Sequence, residues 1–171
     1  MKKGVLERMV KAFVRGGAAV GVIVPVLAYG FDMNELNRFY QTRQCPKCDL
    51  DHATLLRLKA PGANLAGAKC GGINLSDAVI DHSDLSDGDF SGARLFGADL
   101  RKSVLRRTNL KGANLTIADL READLSNANL AGANLKGANL TGARIEGADF
   151  SGATWPDWGI CREGSIGQCR K

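Results

Sequence analysis

The run AGANLKGANLTGARIEGADF, residues 131–150, repeats one five-residue motif, Ala-Asn/Asp-Leu-x-Gly. The motif extends without insertion from Ala63 to Thr154. A large residue falls on every fifth position, and a small residue, usually alanine, lies two positions before it. Disordered segments combine low hydrophobicity with high net charge, so this regular apolar pattern predicts ordered structure instead.

A period of five fits neither a helix nor a straight strand. At about 100° per residue, a helix would rotate successive leucines by roughly 140° and spread them around its axis. A strand would place successive leucines on opposite faces, because its side chains alternate. The chain must therefore turn once in every unit, and a sequence that does so predicts a coil with an apolar axis, as in solenoid proteins.

The units A-N-L-x-G and A-D-L-x-x resemble those of the pentapeptide repeat family. The resemblance covers Cys48 to Asp157, which is twenty-two units in one register, although the first three (CDLDH, ATLLR and LKAPG) are degenerate. It implies an all-β fold, a right-handed four-sided parallel β-helix with four units in each coil. At the spacing of paired strands, these units would form a rod about 26 Å long.

Four units per coil predict that residues twenty apart lie side by side on neighbouring coils. Three such pairs join opposite charges, namely Asp81 with Arg101, Asp87 with Arg107, and Lys102 with Glu122. Cys70 and Phe90 would be neighbours in the interior, where a free thiol behaves as a small apolar group.

Residues 1–30 are predicted to be a signal peptide. A basic region is followed by the apolar stretch GGAAVGVIVPVLAYG, and Ala28-Tyr29-Gly30 fits a small-x-small cleavage site. The apolar stretch is shorter than the roughly 20 residues that span a bilayer comfortably. An uncleaved anchor remains the alternative, and only in that case do we expect contact with a membrane. Either interpretation places the repeats outside the cytoplasm, in the periplasm or the extracellular space.

Two further segments flank the repeats. Residues 31–47 are predicted to form an N-terminal cap that is mainly helical, with Leu36, Phe39 and Tyr40 at near-helical spacing. The repeat domain is assigned to residues 48–157 and a C-terminal cap to residues 158–171. Trp155 and Trp158 are expected to shield the last coil, because the ends of a solenoid otherwise expose its apolar axis.

Four of the five cysteines lie near the ends of the predicted rod. We expect disulfides between Cys45 and Cys48 and between Cys161 and Cys169, since each would close a small loop around a cap in an oxidising compartment. Two alternatives remain for the first pair. Cys45-Pro46-Lys47-Cys48 has the spacing of a thiol-disulfide exchange site, and Cys45, Cys48 and His52 could contribute to a zinc site that lacks an evident fourth ligand.

The net charge of +5 is unevenly distributed. Five basic residues and one acid give residues 1–30 a charge of +4, which leaves +1 for residues 31–171. The basic pI of the whole chain is therefore not evidence of a nucleic-acid partner, and we expect none. The repeats do contain one run of basic residues that is a candidate anion-binding patch, or else an exposed face neutralised by acids; it consists of Arg101, Lys102, Arg106, Arg107 and Lys111.

The sequence predicts no catalytic residue, cofactor or metal. His52 and His82 both fall on outward positions without an evident nucleophile beside them. The expected function is that of an exported structural scaffold or protein-interaction module whose protein or envelope partner is unknown. One alternative follows from the resemblance, because some family members mimic DNA and protect DNA gyrase, but those relatives are cytoplasmic and strongly acidic along one face. Thiol-disulfide exchange through Cys45 and Cys48 is the other.

Overall fold

A computed structural model describes residues 32–171. The signal peptide predicted for residues 1–30 lies outside the described residues. In the described part, no helix combines the length and the apolar character needed to span a membrane.

The repeats form a right-handed, four-sided parallel β-helix, as predicted. Each unit contributes one bridging residue, which pairs in parallel with the residue twenty positions later, from Gln44 with Asn64 to Asn134 with Thr154. One coil therefore takes twenty residues and has four faces. The bridging pattern begins at Gln44, one unit before the boundary at Cys48 that the sequence suggested, because the amide of Cys45 already donates to the carbonyl of Asn64.

A tight turn separates each face from the next. The amide three residues after the large residue donates back to that residue's carbonyl, as Ala68 does to Leu65 at 3.0 Å. The second residue of the turn has a positive φ, which is +65° at Gly67. A single positive φ at this position is typical of a type II turn, and it explains the glycine of the motif. Several units place another residue there, and Ile117 at φ +52° is the β-branched example.

The interior is formed by the large residue of each unit and the small residue two positions before it. Most of these side chains are fully buried, and Cys70 lies next to Phe90 in one interior column. Gly88 replaces the usual alanine before Phe90 because a Cβ at residue 88 would lie 2.7 Å from the phenyl ring. Where serine or threonine takes the small position, its hydroxyl is bonded: Thr108 donates to the carbonyl of Leu85 at 2.9 Å.

Helix α1, Met33–Thr42, covers the first coil. Its N-cap is Asp32, whose carboxylate accepts from the amide of Asn34 at 2.7 Å. Leu36 and Phe39 bury their side chains against the start of the apolar axis. The predicted N-terminal cap is thus a ten-residue helix that seals one end of the rod.

The C-terminal segment covers only half of the last coil. It pairs in antiparallel fashion, Asp149 with Ile166 and Thr154 with Ile160. Trp155 packs edge-on against Phe150 with ring centroids 4.9 Å apart, as expected of a shielding residue. Trp158 does not shield the coil, since it remains 66% exposed. That expectation was wrong because the chain reverses at Trp155, whose amide donates to the carbonyl of Gly159.

Candidate functional site

The basic run of residues 101–111 does not form one patch. Consecutive turns lie at consecutive corners of the coil, so its members occupy turns 101–102, 106–107 and 111–112 at three different corners. A five-residue period separates side chains that a reader of the linear sequence would group together. The prediction of a single anion-binding patch is corrected accordingly: Arg101 and Lys102 share a corner, but Arg106, Arg107 and Lys111 do not join them.

The arginines of this run are held by acidic neighbours. Arg107 contacts the carboxylate of Asp87 on the coil below at 2.6 Å, as expected from stacking, and Lys102 lies 3.8 Å from Glu122. Arg101 behaves differently, because it binds Asp99 within its own unit at 2.6 Å rather than Asp81. The hydrogen bond from Arg101 lowers the pKa of Asp99. A shallow depression lined by His82, Arg101, Lys102, Arg121 and Glu122 therefore has a mixed-sign wall.

The N-terminal cysteines are joined as a disulfide under α1. Both residues are fully buried, and a guanidinium nitrogen of Arg38 lies 3.3 Å from the sulfur of Cys48. Thiol-disulfide exchange requires an attacking thiolate to reach a sulfur atom, and burial prevents that approach. This geometry suits a structural cross-link. Among residues 32–171, no group of histidine, cysteine or acidic side chains could hold a metal ion, and His52 lies at an outward turn.

The second disulfide joins Cys161 to Cys169 in the C-terminal segment. Of the cysteines described, Cys70 is free and buried, and burial raises its pKa. Both disulfides therefore lie at the ends of the rod and connect the residue pairs that the sequence analysis named.

One corner of the rod carries apolar side chains on its outside. We call it the apolar corner and define it by the six turns 56–57, 76–77, 96–97, 116–117, 136–137 and 156–157. Leu56, Phe96 and Ile117 project from it with exposed fractions of 51%, 41% and 54%. Trp158 follows the last of these turns. Among the described residues, the other large exposed hydrophobic side chains are Ile160 and Ile166 of the C-terminal segment.

Ile117 is the least expected of these residues. A β-branched side chain rarely adopts a left-handed backbone, and the conformation raises the energy of the folded chain. Room for the side chain comes from glycines on the coils to either side: a Cβ at Gly137 would lie 3.2 Å from Cγ2 of Ile117, and one at Gly97 would lie 4.0 Å from its Cδ1. Ile117 is thus seated between two glycines while more than half of its surface remains open.

Charged groups lie at both ends of this corner, on either side of Phe96 and Ile117. Arg57 lies 3.7 Å from Asp77, and Asp157 pairs with Lys171. The ammonium of Lys136 lies over the ring of Trp158, 3.4 Å from its centroid. The corner therefore presents a row of exposed apolar side chains with charges of both signs on either side of them.

The apolar corner is not among the features predicted from the sequence, although the sequence contains a signal for it. Leu56, Phe96 and Ile117 are far apart in the linear chain and belong to no cluster there. When the sequence is written in rows of twenty, residues 56 and 96 fall into one column and residue 117 into the next. This grouping can be recognised only when the length of one coil, twenty residues, is already known.

The comparisons with known proteins agree with this geometry. The family model described as pentapeptide repeats matches in 8 copies over residues 62–95, 89–127 and 118–154, which together span more than half of the 171 residues. Among curated proteins, no sequence matches the chain.

Solved structures of similar proteins also match. A pentapeptide repeat protein from the thylakoid lumen of Arabidopsis thaliana is 26% identical, with a TM-score of 0.57 over 58% of this chain and 69% of that one. A pentapeptide repeat protein from Nostoc is 30% identical, with a TM-score of 0.37 over 71% and 80% of the two chains. The plasmid-mediated fluoroquinolone resistance protein QnrB1 is 22% identical, with a TM-score of 0.46 over 66% and 67%. The repeats, their turns and the family match together establish that this chain belongs to the pentapeptide repeat family.

Proposed function

We propose that this protein is a non-catalytic interaction module that acts outside the cytoplasm and binds a protein through its apolar corner. The observation that carries the proposal is the placement of Leu56, Phe96 and Ile117 on one corner of the rod. Apolar side chains scattered singly over a surface need no explanation, but a row of them with a polar border is typical of protein-binding surfaces.

The rest of the rod suits a binding scaffold. Backbone hydrogen bonds join every coil to its neighbours, and fully buried alanine and leucine residues fill the axis. A rigid support reduces the entropy lost on binding, because the contact residues are already held in place. Ile117 illustrates this pre-organisation, since its side chain lies in the room left by the two flanking glycines.

Two observations support a location outside the cytoplasm. Disulfides persist mainly in oxidising compartments, and this chain has one at each end of the rod. One structure with the same fold comes from a protein of the thylakoid lumen. The signal peptide expected for residues 1–30 would provide the route.

DNA mimicry is not part of this proposal. A mimic of duplex DNA needs a regular row of negative charge, whereas the corners of this rod mix signs. Arg57 stacks with Asp77 on one corner, and Lys102 stacks with Glu122 on another.

Site-specific photo-cross-linking tests the proposal. A benzophenone amino acid would replace Ile117 in the protein produced in its own cells, and a matched variant would carry it at Asn127. Asn127 has the same place in its turn and a similar φ of +59°, but it lies at another corner and is exposed. We expect a protein adduct from position 117 and little or none from position 127. Equal yields at the two positions, or no adduct at 117, would contradict the proposal.

A further inference from the structure

The charges along the apolar corner have a particular order: when the order is reversed, every positive position becomes negative and every negative position becomes positive. Taken coil by coil from the N-terminal end, one side chain at each level gives a sequence of positive, negative, apolar, apolar, positive and negative. The six residues in that order are Arg57, Asp77, Phe96, Ile117, Lys136 and Asp157. At about 4.8 Å per coil, the row is about 24 Å long.

From this pattern we infer that the partner of the apolar corner is a second copy of the same chain, packed antiparallel with Phe96 facing Ile117 across a two-fold axis. This inference rests on the proposed function and names the partner of the same surface. A two-fold axis between the third and fourth levels brings the first level opposite the sixth and the second opposite the fifth. Each contact then occurs twice, as an isologous interface requires.

The antiparallel arrangement pairs every charge with its opposite. Arg57 faces Asp157 of the second copy, and Asp77 faces its Lys136. Leu56 on the first level comes opposite Trp158, which extends the apolar contact at both ends of the row. Charge complementarity of this kind fixes the register of an interface and excludes other arrangements.

The neighbouring two-fold arrangements of the same two corners place like charges together. A parallel dimer in register would face each charged residue with its own copy. An antiparallel dimer shifted by one level in one direction would bring Arg57 to Lys136, and in the other direction Asp77 to Asp157. Among arrangements related by a two-fold axis, only the unshifted antiparallel one combines apolar contact at the centre with opposite charges at both ends.

The charged groups remain available for these contacts. Arg57 and Asp77 touch each other within the chain at 3.7 Å, but their side chains are still 78% and 46% exposed. Asp157 is 57% exposed although it pairs with Lys171. Lys136 lies over the ring of Trp158, so its ammonium is held at the surface of this corner.

Charge reversal at the second and fifth levels gives a direct test by sedimentation velocity on the full chain. Asp77→Lys would place two Lys-Lys contacts in the dimer, and Lys136→Asp would place two Asp-Asp contacts. Each substitution is compatible with the local backbone: Lys102 has a φ of +57° at the position equivalent to residue 77, and Asp81 is a first turn residue like residue 136. We expect each variant to raise the dimer dissociation constant about tenfold or more.

Mixing the two variants separates this inference from a general loss of binding. A mixed dimer contains one native contact, between Asp77 of one chain and Lys136 of the other. Its second contact joins the lysine introduced at residue 77 to the aspartate introduced at residue 136. Both contacts are attractive. We expect the mixture to dimerise at concentrations where each variant alone is monomeric. The control is Lys111→Asp, which makes the same change of charge as Lys136→Asp at an exposed turn of another corner and should leave dimerisation unchanged.

A second pair of substitutions tests the apolar centre. Phe96→Ser with Ile117→Asn removes the apolar side chains, and the new residues match Ser76 and Asn127 at equivalent turn positions. We expect dimerisation to weaken at least about thirtyfold, with the circular dichroism spectrum unchanged.

Several results would overturn the inference: a wild-type chain that stays monomeric at every concentration, a dimer that none of these substitutions weakens, or a mixture that fails to recover. An adduct between position 117 and a different protein would also overturn it, while leaving the proposed interaction module intact. Absence of any adduct at 117 would instead count against the proposed function itself.

Discussion

Gly88 offers a sharp test of how the interior is packed. A Cβ at this position would lie 2.7 Å from Cε2 of Phe90, 3.1 Å from the carbonyl oxygen of Leu85 and 3.3 Å from that of Ala68. Alanine occupies this position in most other units, so the coil tolerates the two carbonyl contacts and the contact with the ring decides the outcome. The φ of Gly88 is not left-handed, so steric overlap alone should make Gly88→Ala unfavourable, by about 2 kcal/mol of unfolding free energy.

Shrinking Phe90 should reverse that effect. Phe90→Leu alone leaves unfilled space at a fully buried position and should destabilise the protein by about 1 to 2 kcal/mol. The double variant reads Ala-Asp-Leu, as residues 98–100 do, and the added methyl group occupies part of the space that the ring vacates. We expect it to lie within about 1 kcal/mol of the wild type, which is a favourable coupling of about 2 kcal/mol.

Urea unfolding followed by circular dichroism measures all three variants. The control is Gly132→Ala, where φ is +67° and no atom lies within 4 Å of the new Cβ. Its cost of about 1 kcal/mol comes from the backbone, and Phe90→Leu should not reduce it. If the effects of Gly88→Ala and Phe90→Leu simply add, the interior does not pack as described.

Three further changes have defined outcomes. Arg101 lowers the pKa of Asp99. The stability from this carboxylate is therefore present above its unfolded pKa of about 4 and is lost as the pH falls through the lower folded value. The melting temperature should hold from pH 7 to about 5 and drop below about 4, with a smaller drop in Asp99→Asn; an equal drop in that variant would contradict the assignment. Replacing Cys161 and Cys169 by alanine removes a cross-link with a sequence separation of 8. This should lower the free energy of unfolding by about 2 to 3 kcal/mol and speed amide exchange in the C-terminal segment. Unchanged exchange would show that the disulfide does not hold the C-terminal cap. Asp32→Ala removes the N-cap of α1 and should destabilise that helix by about 1 kcal/mol. Amide hydrogen exchange should become faster within α1 while the amides of the coils stay protected. Loss of protection throughout the coils would show that the helix is not a separate cap.

The sequence was sufficient to predict the coil but not the use of its surface. Leucine at every fifth position fixes which side chains face inward, because only a chain that turns once per unit keeps them on one axis. The same regularity makes the outer positions permissive, so their roles depend on which corner they occupy. Arg101 and Arg107 are separated by one corner, and Phe96 and Ile117 are brought together, although their distances along the chain suggest the opposite.

Two details could not be read from the repeat because local geometry decides them. Arg101 contacts Asp99 of its own unit at 2.6 Å and Asp119 of the next coil at 3.8 Å, rather than the Asp81 that stacking suggested. The C-terminal segment has no repeat, so its path over half of the last coil, and the exposure of Trp158 that results, follow from tertiary pairing of Ile160 and Ile166.

As proposed above, this chain is a rod with a disulfide at each end and works outside the cytoplasm. Intact mass measured on cell fractions, with and without reduction and thiol alkylation, tests it most directly. We expect a mature chain beginning at Phe31 in the exported fraction, with one alkylated cysteine, Cys70, after denaturation without reductant and five after reduction. A full-length cytoplasmic chain in which Cys45 and Cys48 are alkylated without reduction would contradict it.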